Sequence, residues 1–219
     1  MKPLLAAPTK IRTVEHHAAI DWREMPEFMR ALRERGDTRA PVLEFLILTA
    51  ARSGEARGAR WTEVDLDKGV WTIPANRMKS GRPHRVPLSK RALAILDEMA
   101  ELNDGTGLIF RGLIDEVPIS NMTLAAVLQR LDRCAFTAHG FRSTFREWVG
   151  ETTHHAREVD ESALAHNVAG ENEAAYWRSD LLEKRHVLMD EWAKYLSKPP
   201  AKVLRPKFGQ RRKAAGVVA

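Results

Sequence analysis

The stretch PVLEFLILTAA at residues 41–51 constrains the fold of this chain more than any other. It is apolar almost throughout, so it reads as a helix buried inside a core. Such a helix needs a core of real size, and 219 residues with 44% hydrophobic content can supply one, as one large domain or a domain with an appendage. Before it, Pro26 to Arg35 mixes apolar and charged positions at helical spacing and stops at Gly36, a good terminator. After it, Ser53 is placed to cap a short helix beginning SGEARGA. The pattern then changes. VDLDKGVWTIP (64–74) and HRVPL (84–88) set β-branched and aromatic residues around Lys-Gly and Gly-Arg-Pro turns, which predicts a small antiparallel sheet of three strands. Ser89 is placed to cap a helix over 90–102, and LIF at 108–110 reads as a short buried extended piece. From Ser120 onward the chain reads as helices at 121–133, 139–150, 157–166, roughly 171–177 and 180–196.

The expected class is therefore α+β: mainly α-helical with a small three-stranded antiparallel sheet, in a domain spanning 20–197. Residues 1–19 lack periodicity and read as a leader or linker. The tail 198–219, with Pro199, Pro200 and Pro206 and no apolar period, reads as disordered.

Charge distribution narrows the partner. The net charge is +6 and the pI about 9.7, which favours a polyanion. Of 35 Lys/Arg, seven lie in 198–219 without an acid, leaving 28 in the body against all 29 Asp/Glu. Within that body, 68–96 again carries seven basic residues and no acid, while acids gather around 151–191. This segregation predicts one DNA-facing side and one solvated side. Cys134 is the single cysteine, so no intrachain disulfide can form and a reducing compartment fits. MKPLLAAP is too short an apolar run for a signal peptide, and no segment approaches a membrane span. A cytoplasmic protein without a membrane partner is expected.

Six residues spread over more than a hundred positions make one reactive set: Arg52, Lys79, His139, Arg142, His166 and Tyr176. They sit in the strings TAARSGEARGARW (49–61), RMKSGRPHRVPL (77–88), TAHGFRSTFRE (137–147), LAH (164–166) and AAYWRSDLLEKR (174–185). Two arginines, a lysine and two histidines suit a site that holds a phosphodiester and neutralises its transition state, and a tyrosine supplies an oxygen nucleophile. The order and content of these strings, from about Glu15 to Leu196, resemble the catalytic domain of the tyrosine recombinases, specifically the prophage integrases.

The resemblance implies roles. Tyr176, ten residues after His166, matches the family's nucleophile spacing, whereas Tyr195 falls on the packing stripe of Leu181, Leu188, Trp192 and Leu196. Arg52 and Arg142 would clamp the non-bridging oxygens of the scissile phosphate, guanidinium being planar, permanently charged and rich in paired donors. The first clamp string has Ala50 where the family more usually has glycine, a mild departure because alanine is nearly as small. Glu55 matches an acidic residue that positions the arginine. His139 and Arg142, three apart on one helix, match the His-x-x-Arg box. His166 would present an N–H to the phosphate. Lys79, on the strand–turn–strand segment, would be the general acid that protonates the departing 5′-oxygen. Arg77, Arg82 and Arg85 read as DNA-backbone contacts or as exposed hairpin charges.

The implied activity is site-specific recombination through a 3′-phosphotyrosyl intermediate, without metal or other cofactor. The partner is double-stranded DNA, with four protomers at synapsis and host or phage DNA-bending proteins as accessories. Such integrases carry a core-binding domain ahead of the catalytic one; the expectation here is that it is absent from this chain. Rival readings are a type IB topoisomerase-like activity, a non-catalytic DNA-binding remnant, and a metal site built from Glu151, His154, His155 and His166. The last lacks the usual metal-ligand motifs.

Overall fold

The computed structural model describes residues 18–199 apart from Asp104, Thr106, 113–116 and 167–178. Its elements run α1 (Met25–Glu34), α2 (Ala40–Thr49), α3 (Ser53–Arg57), β1 (Val64–Asp65), β2 (Val70–Ile73), β3 (His84–Pro87), α4 (Lys90–Ala100), α5 (Asn121–Arg130), α6 (Gly140–Thr152), α7 (Arg157–Ala163) and α8 (Leu182–Leu196). The three strands form one antiparallel sheet in the order β1-β2-β3, with Trp71 opposite Val64 on one side and Val86 on the other. The α+β class expected from the sequence is the class observed. No helix among the described residues is long and apolar enough to cross a membrane.

Helix α2 is the hub. All its residues but Pro41 are buried, and α1, α3, α4, α5 and α8 pack around it. Its one acid, Glu44, is only 3% exposed. Arg33 reaches it at 2.8 Å and Arg91 at 2.9 and 3.0 Å. Burial works against this carboxylate, but the two guanidiniums outweigh it and hold the carboxyl below its ordinary range. Helix α8 is stapled to the hub by Trp192, whose indole N–H donates to the Ile47 carbonyl at 2.9 Å. Tyr195 packs on Trp192 and Trp148, and its hydroxyl donates to the Trp22 carbonyl at 2.8 Å.

Helix α6 depends on a glycine. A Cβ on Gly140 would lie 2.3 Å from the Ala18 carbonyl oxygen, so only glycine lets the incoming chain pass this close. Thr144 then ties the same segment down by donating to the Ile20 carbonyl at 2.6 Å. Ala18 and Ala19, read as leader from the sequence, are thus part of the packed domain; residues 1–17, and the tail from Pro200, lie outside the described residues.

Several boundaries differ from expectation. Ser53 does not cap α3: Arg52 occupies that position in an extended conformation, and its backbone N–H is met by Glu55 at 2.8 Å. Ser89 caps α4 as expected, Ser120 is found to cap α5, and the two helices end two and three residues early. Helix α7 stops at Ala163, and α8 starts at Leu182 after Leu181 turns left-handed. The helix expected near 171–177 lies outside the described residues.

Ala50, which closes α2, has φ 49° and ψ 25°. The reason glycine suits this position is therefore the sign of φ, not side-chain size. A left-handed L-residue costs roughly 1–2 kcal/mol. Glycine would relieve that strain, but it would lose a buried methyl of about 0.8 kcal/mol and gain about 0.4–1 kcal/mol of unfolded-chain entropy. Ala50→Gly is thus expected to leave the urea-unfolding free energy within about 1 kcal/mol of the parent. Ala50→Val, β-branched at positive φ in a filled core, is expected to lose about 2 kcal/mol or more. Equal stability of the two variants would remove the conformational explanation.

Candidate active site

The centre of the site is Arg142, on the first turn of α6 and only 6% exposed. Its Nη1 donates to the Ala50 carbonyl, at the left-handed end of α2, and its Nη2 to the Leu164 carbonyl at 2.6 Å, at the end of α7. No carboxylate pairs with it directly among the described residues. Burial, and next the charge of Arg52, push its pKa down to about 10, so it stays protonated at neutral pH. Two guanidiniums have been brought within electrostatic reach of each other, which is what clamping an anion requires.

Arg52 comes from the junction of α2 and α3. Its side chain is 27% exposed and its Nη1 donates to Glu55 Oε1 at 2.8 Å. Glu55 uses its other oxygen on the Arg52 backbone N–H, so one carboxylate fixes both ends of the residue. Arg77 departs from the expected DNA-facing or exposed charge. It turns inward, its Nη1 on the Glu63 carboxylate and its Nη2 on the Glu55 carbonyl at 2.6 Å. A guanidinium already satisfied by a buried carboxylate has a structural task here, that of holding the α3 turn.

His166 follows α7 through a Schellman turn. Ala165 is left-handed at φ 49°, its N–H meets the Ser162 carbonyl at 3.1 Å, and the His166 N–H meets the Glu161 carbonyl at 2.9 Å. The imidazole lies between Arg142 Nη2, 3.3 Å from Nε2, and Glu161 Oε2, 2.7 Å from Nδ1. His139 is the N-terminal cap residue of α6 and is exposed, three positions before Arg142. Lys79 stands exposed in the turn between β2 and β3, beside exposed Ser80, Gly81 and Arg82. Arg85 is exposed on β3 but engaged: Nε and Nη2 each reach the Asp180 carboxylate at 2.7 Å. Tyr176 lies outside the described residues. The structure therefore brings Arg52, Glu55, Arg142 and His166 into one connected group, with Lys79 on the hairpin and His139 at the helix start.

Three residues near this group carry no recognisable pattern in the sequence. Glu161 and Asp160 belong to the acid-rich stretch expected to be solvated, yet both are buried. Asp160 has one oxygen without a partner among the described residues, and burial followed by the neighbouring Glu161 charge pushes its pKa up to about 6. His84, on β3, is pushed down to about 4 by burial and then by the charge of Arg185, so it is neutral at physiological pH. It lies within electrostatic reach of Glu55 and Arg142. The only trace of Glu161 in the sequence is a carboxylate five residues before His166. The rival metal cluster does not assemble: His155 pairs with Glu191 at 2.9 Å, His166 pairs with Glu161, and no three His, Cys, Asp or Glu converge among the described residues.

The phage integrase family matches this chain over residues 19–180. Prophage integrase IntA of Escherichia coli K12 is 38% identical over 174 residues, covering 78% of this chain and 42% of that protein. The integrase of Enterobacteria phage P4 is 32% identical over 212 residues, covering 88% and 48%. The chain thus spans about half the length of the curated relatives it matches. Among solved structures, the integrase from mycobacterium phage Brujita superposes with a TM-score of 0.60 at 16% identity, over 88% of this chain and 66% of that one. XerH recombinase bound to its difH substrate gives 0.56 at 18% identity, over 78% and 57%. The lambda integrase dimer (75–356) on a COC′ core site gives 0.54 at 17%, over 79% and 63%. These likenesses are to catalytic domains with the same α+β fold. The chain belongs to the phage integrase family and has the fold of the tyrosine recombinase catalytic domain.

Proposed function

We propose that this chain is the catalytic part of a site-specific DNA recombinase that cuts and rejoins double-stranded DNA through a 3′-phosphotyrosyl intermediate. The observation that carries this reading is the pair Arg52 and Arg142, held within electrostatic reach of each other by carbonyls and a positioning carboxylate, with no acid paired directly with Arg142 among the described residues. A scissile phosphate is the anion that completes such a pair.

In the forward step the Tyr176 oxygen attacks phosphorus, forming the phosphotyrosyl P–O bond as the bond to the 5′-oxygen breaks. The two guanidiniums and His166 take up the charge that grows on the non-bridging oxygens, and loss of one such donor typically costs about 10²–10³ in rate. Lys79 gives its ammonium proton to the departing 5′-oxygen, and the phenolic proton leaves to a base or solvent. The freed 5′-hydroxyl of a partner strand then reverses the chemistry on a new duplex. Bond energy stays in the covalent intermediate, so neither nucleotide nor metal is consumed. Arg82, exposed beside Lys79, is positioned to follow the DNA backbone, and Arg85 can do so only by leaving Asp180. Exchange between two duplexes calls for four protomers, with accessory DNA-bending proteins helping to assemble them.

On nicked duplexes built from the genomic junctions of the element that encodes this chain, Tyr176→Phe should abolish the covalent protein–DNA adduct while leaving DNA affinity nearly unchanged, because only the nucleophilic oxygen is lost. Tyr195→Phe should keep the adduct. A dead Tyr195 variant beside a live Tyr176 variant would overturn the assignment.

The same duplexes resolve the role of Lys79. A 5′-bridging sulfur leaves as a thiolate without a proton, so it should rescue single-turnover cleavage by Lys79→Ala but not by Arg52→Ala. Equal rescue of both variants, or of neither, would strip Lys79 of the general-acid role.

A further inference from the structure

We propose that Glu161 is a positioning residue of this site: it fixes the tautomer and orientation of His166 so that Nε2 faces Arg142 and the phosphate position. The role rests on the recombinase reading above, and three independent contacts support it. Glu161 grips His166 twice, its backbone carbonyl accepting the His166 N–H at 2.9 Å and its Oε2 lying 2.7 Å from Nδ1. Its other oxygen, Oε1, is occupied from the opposite side by Arg146, with Arg157 Nε at 3.6 Å. Its side chain is only 8% exposed, so this arrangement is not one of many solvated rotamers.

Charge then decides the protons. Burial opposes ionisation of Glu161, but the His166 hydrogen bond and then Arg146 outweigh it and keep the carboxyl below its ordinary range. A carboxylate can only accept, so Nδ1 carries a hydrogen. On the far side Arg142 can only donate: one Nη2 hydrogen goes to Leu164 and the other points at His166 Nε2, 3.3 Å away. In the free protein Nε2 is therefore a bare acceptor. For Nε2 to donate to a phosphate oxygen while Nδ1–H stays on Glu161, the ring must hold both hydrogens, and Glu161 is then the counter-charge across it. Against this ring lie Arg142 from α6 and Glu161 from α7; behind Glu161 stands Arg146, and the charges of Arg52, Glu55 and Asp160 act on Arg142, whose charge in turn acts on His84.

Glu161→Gln tests this with one atom changed. Arg146 holds the Oε1 side and can only donate, so the glutamine must turn its oxygen there and its amide NH₂ toward Nδ1. The variant should invert the tautomer, protonating Nε2 and leaving Nδ1 bare. Long-range ¹H–¹⁵N spectra of the DNA-free chain read this directly, His166→Ala identifying which of the eight histidine signals belongs to residue 166. The wild type is expected to show an Nδ1–H ring at His166 and the variant an Nε2–H ring. An Nε2–H ring in the wild type, or a tautomer unmoved by the substitution, overturns the proposal, and the wild-type spectrum decides even if the variant folds poorly.

On the nicked junction duplexes, Glu161→Gln should slow single-turnover cleavage about 10- to 100-fold, the usual cost of losing the partner that orients an imidazole. In a His166→Ala background the same substitution should change nothing, because Glu161 acts only through that ring. A further fall in that background would show a separate structural role and overturn the proposal. The spectra need no DNA, so failure of the recombinase reading and failure of this proposal are told apart.

Discussion

Everything at the site depends on one guanidinium being held in the core by carbonyls. Arg142 is buried without a direct carboxylate partner among the described residues, an arrangement that costs several kcal/mol per ion before compensation. The compensation comes from charge-assisted hydrogen bonds to the Ala50 and Leu164 carbonyls, at the ends of α2 and α7. Those carbonyls point inward because the chain reverses there, Ala50 itself being left-handed and Ala165 following Leu164 in the same conformation. Backbone strain at two alanines is thus coupled to the electrostatics of the clamp. Strain of this kind persists where the surrounding packing over-determines it. Here α2 is enclosed by five helices, and Gly140 lets the first described residues press against α6.

The acids around the clamp are arranged so that they orient cations without quenching the centre. Glu55 holds Arg52 by side chain and backbone, Glu63 holds Arg77, and Glu161 holds the far side of His166. Each lies one layer away from Arg142. The result is a positive group with its counter-charges behind it, the arrangement by which the proposed site would stabilise developing negative charge with little reorganisation. The Arg85–Asp180–Arg185 cluster extends the same logic outward. Arg185, fully buried, donates to the Asp180 and Arg85 carbonyls and so ties β3 to the start of α8.

The fold was legible wherever local pattern and tertiary role agree. The apolar run of α2, the β-branched strands and the serine caps of α4 and α5 all state their structure in neighbouring residues. Helix ends were read less well. Ala50, Ala165 and Leu181 adopt left-handed conformations that glycine usually announces, so nothing in the sequence marks those turns. The candidate site could be suggested only through family resemblance, because Arg52, Arg142 and His166 come together through tertiary packing. Glu161 and Asp160 were misread for a related reason. Charge runs suggest solvated faces, and only the tertiary setting of α7, packed on α8 and met by Arg146 of α6, turns these two carboxylates inward. Arg77 shows the converse: a basic hairpin residue expected on the DNA-facing side is captured by the Glu63 carboxylate, whose side chain is 7% exposed.

If the clamp is preformed, the DNA-free chain should already hold a tetrahedral oxyanion at one saturable site. The direct measurement is the melting temperature against sodium phosphate, with sodium chloride at matched ionic strength as reference and Arg52→Gln as the paired variant. A ligand that binds only the native state stabilises it as the logarithm of its concentration over Kd, whereas general salting effects act on both proteins alike. The preformed clamp predicts a saturable, phosphate-specific rise in the wild type that is lost or much weakened in Arg52→Gln. Identical responses of the two proteins would contradict it, and would mean that the positive centre is assembled only when DNA arrives.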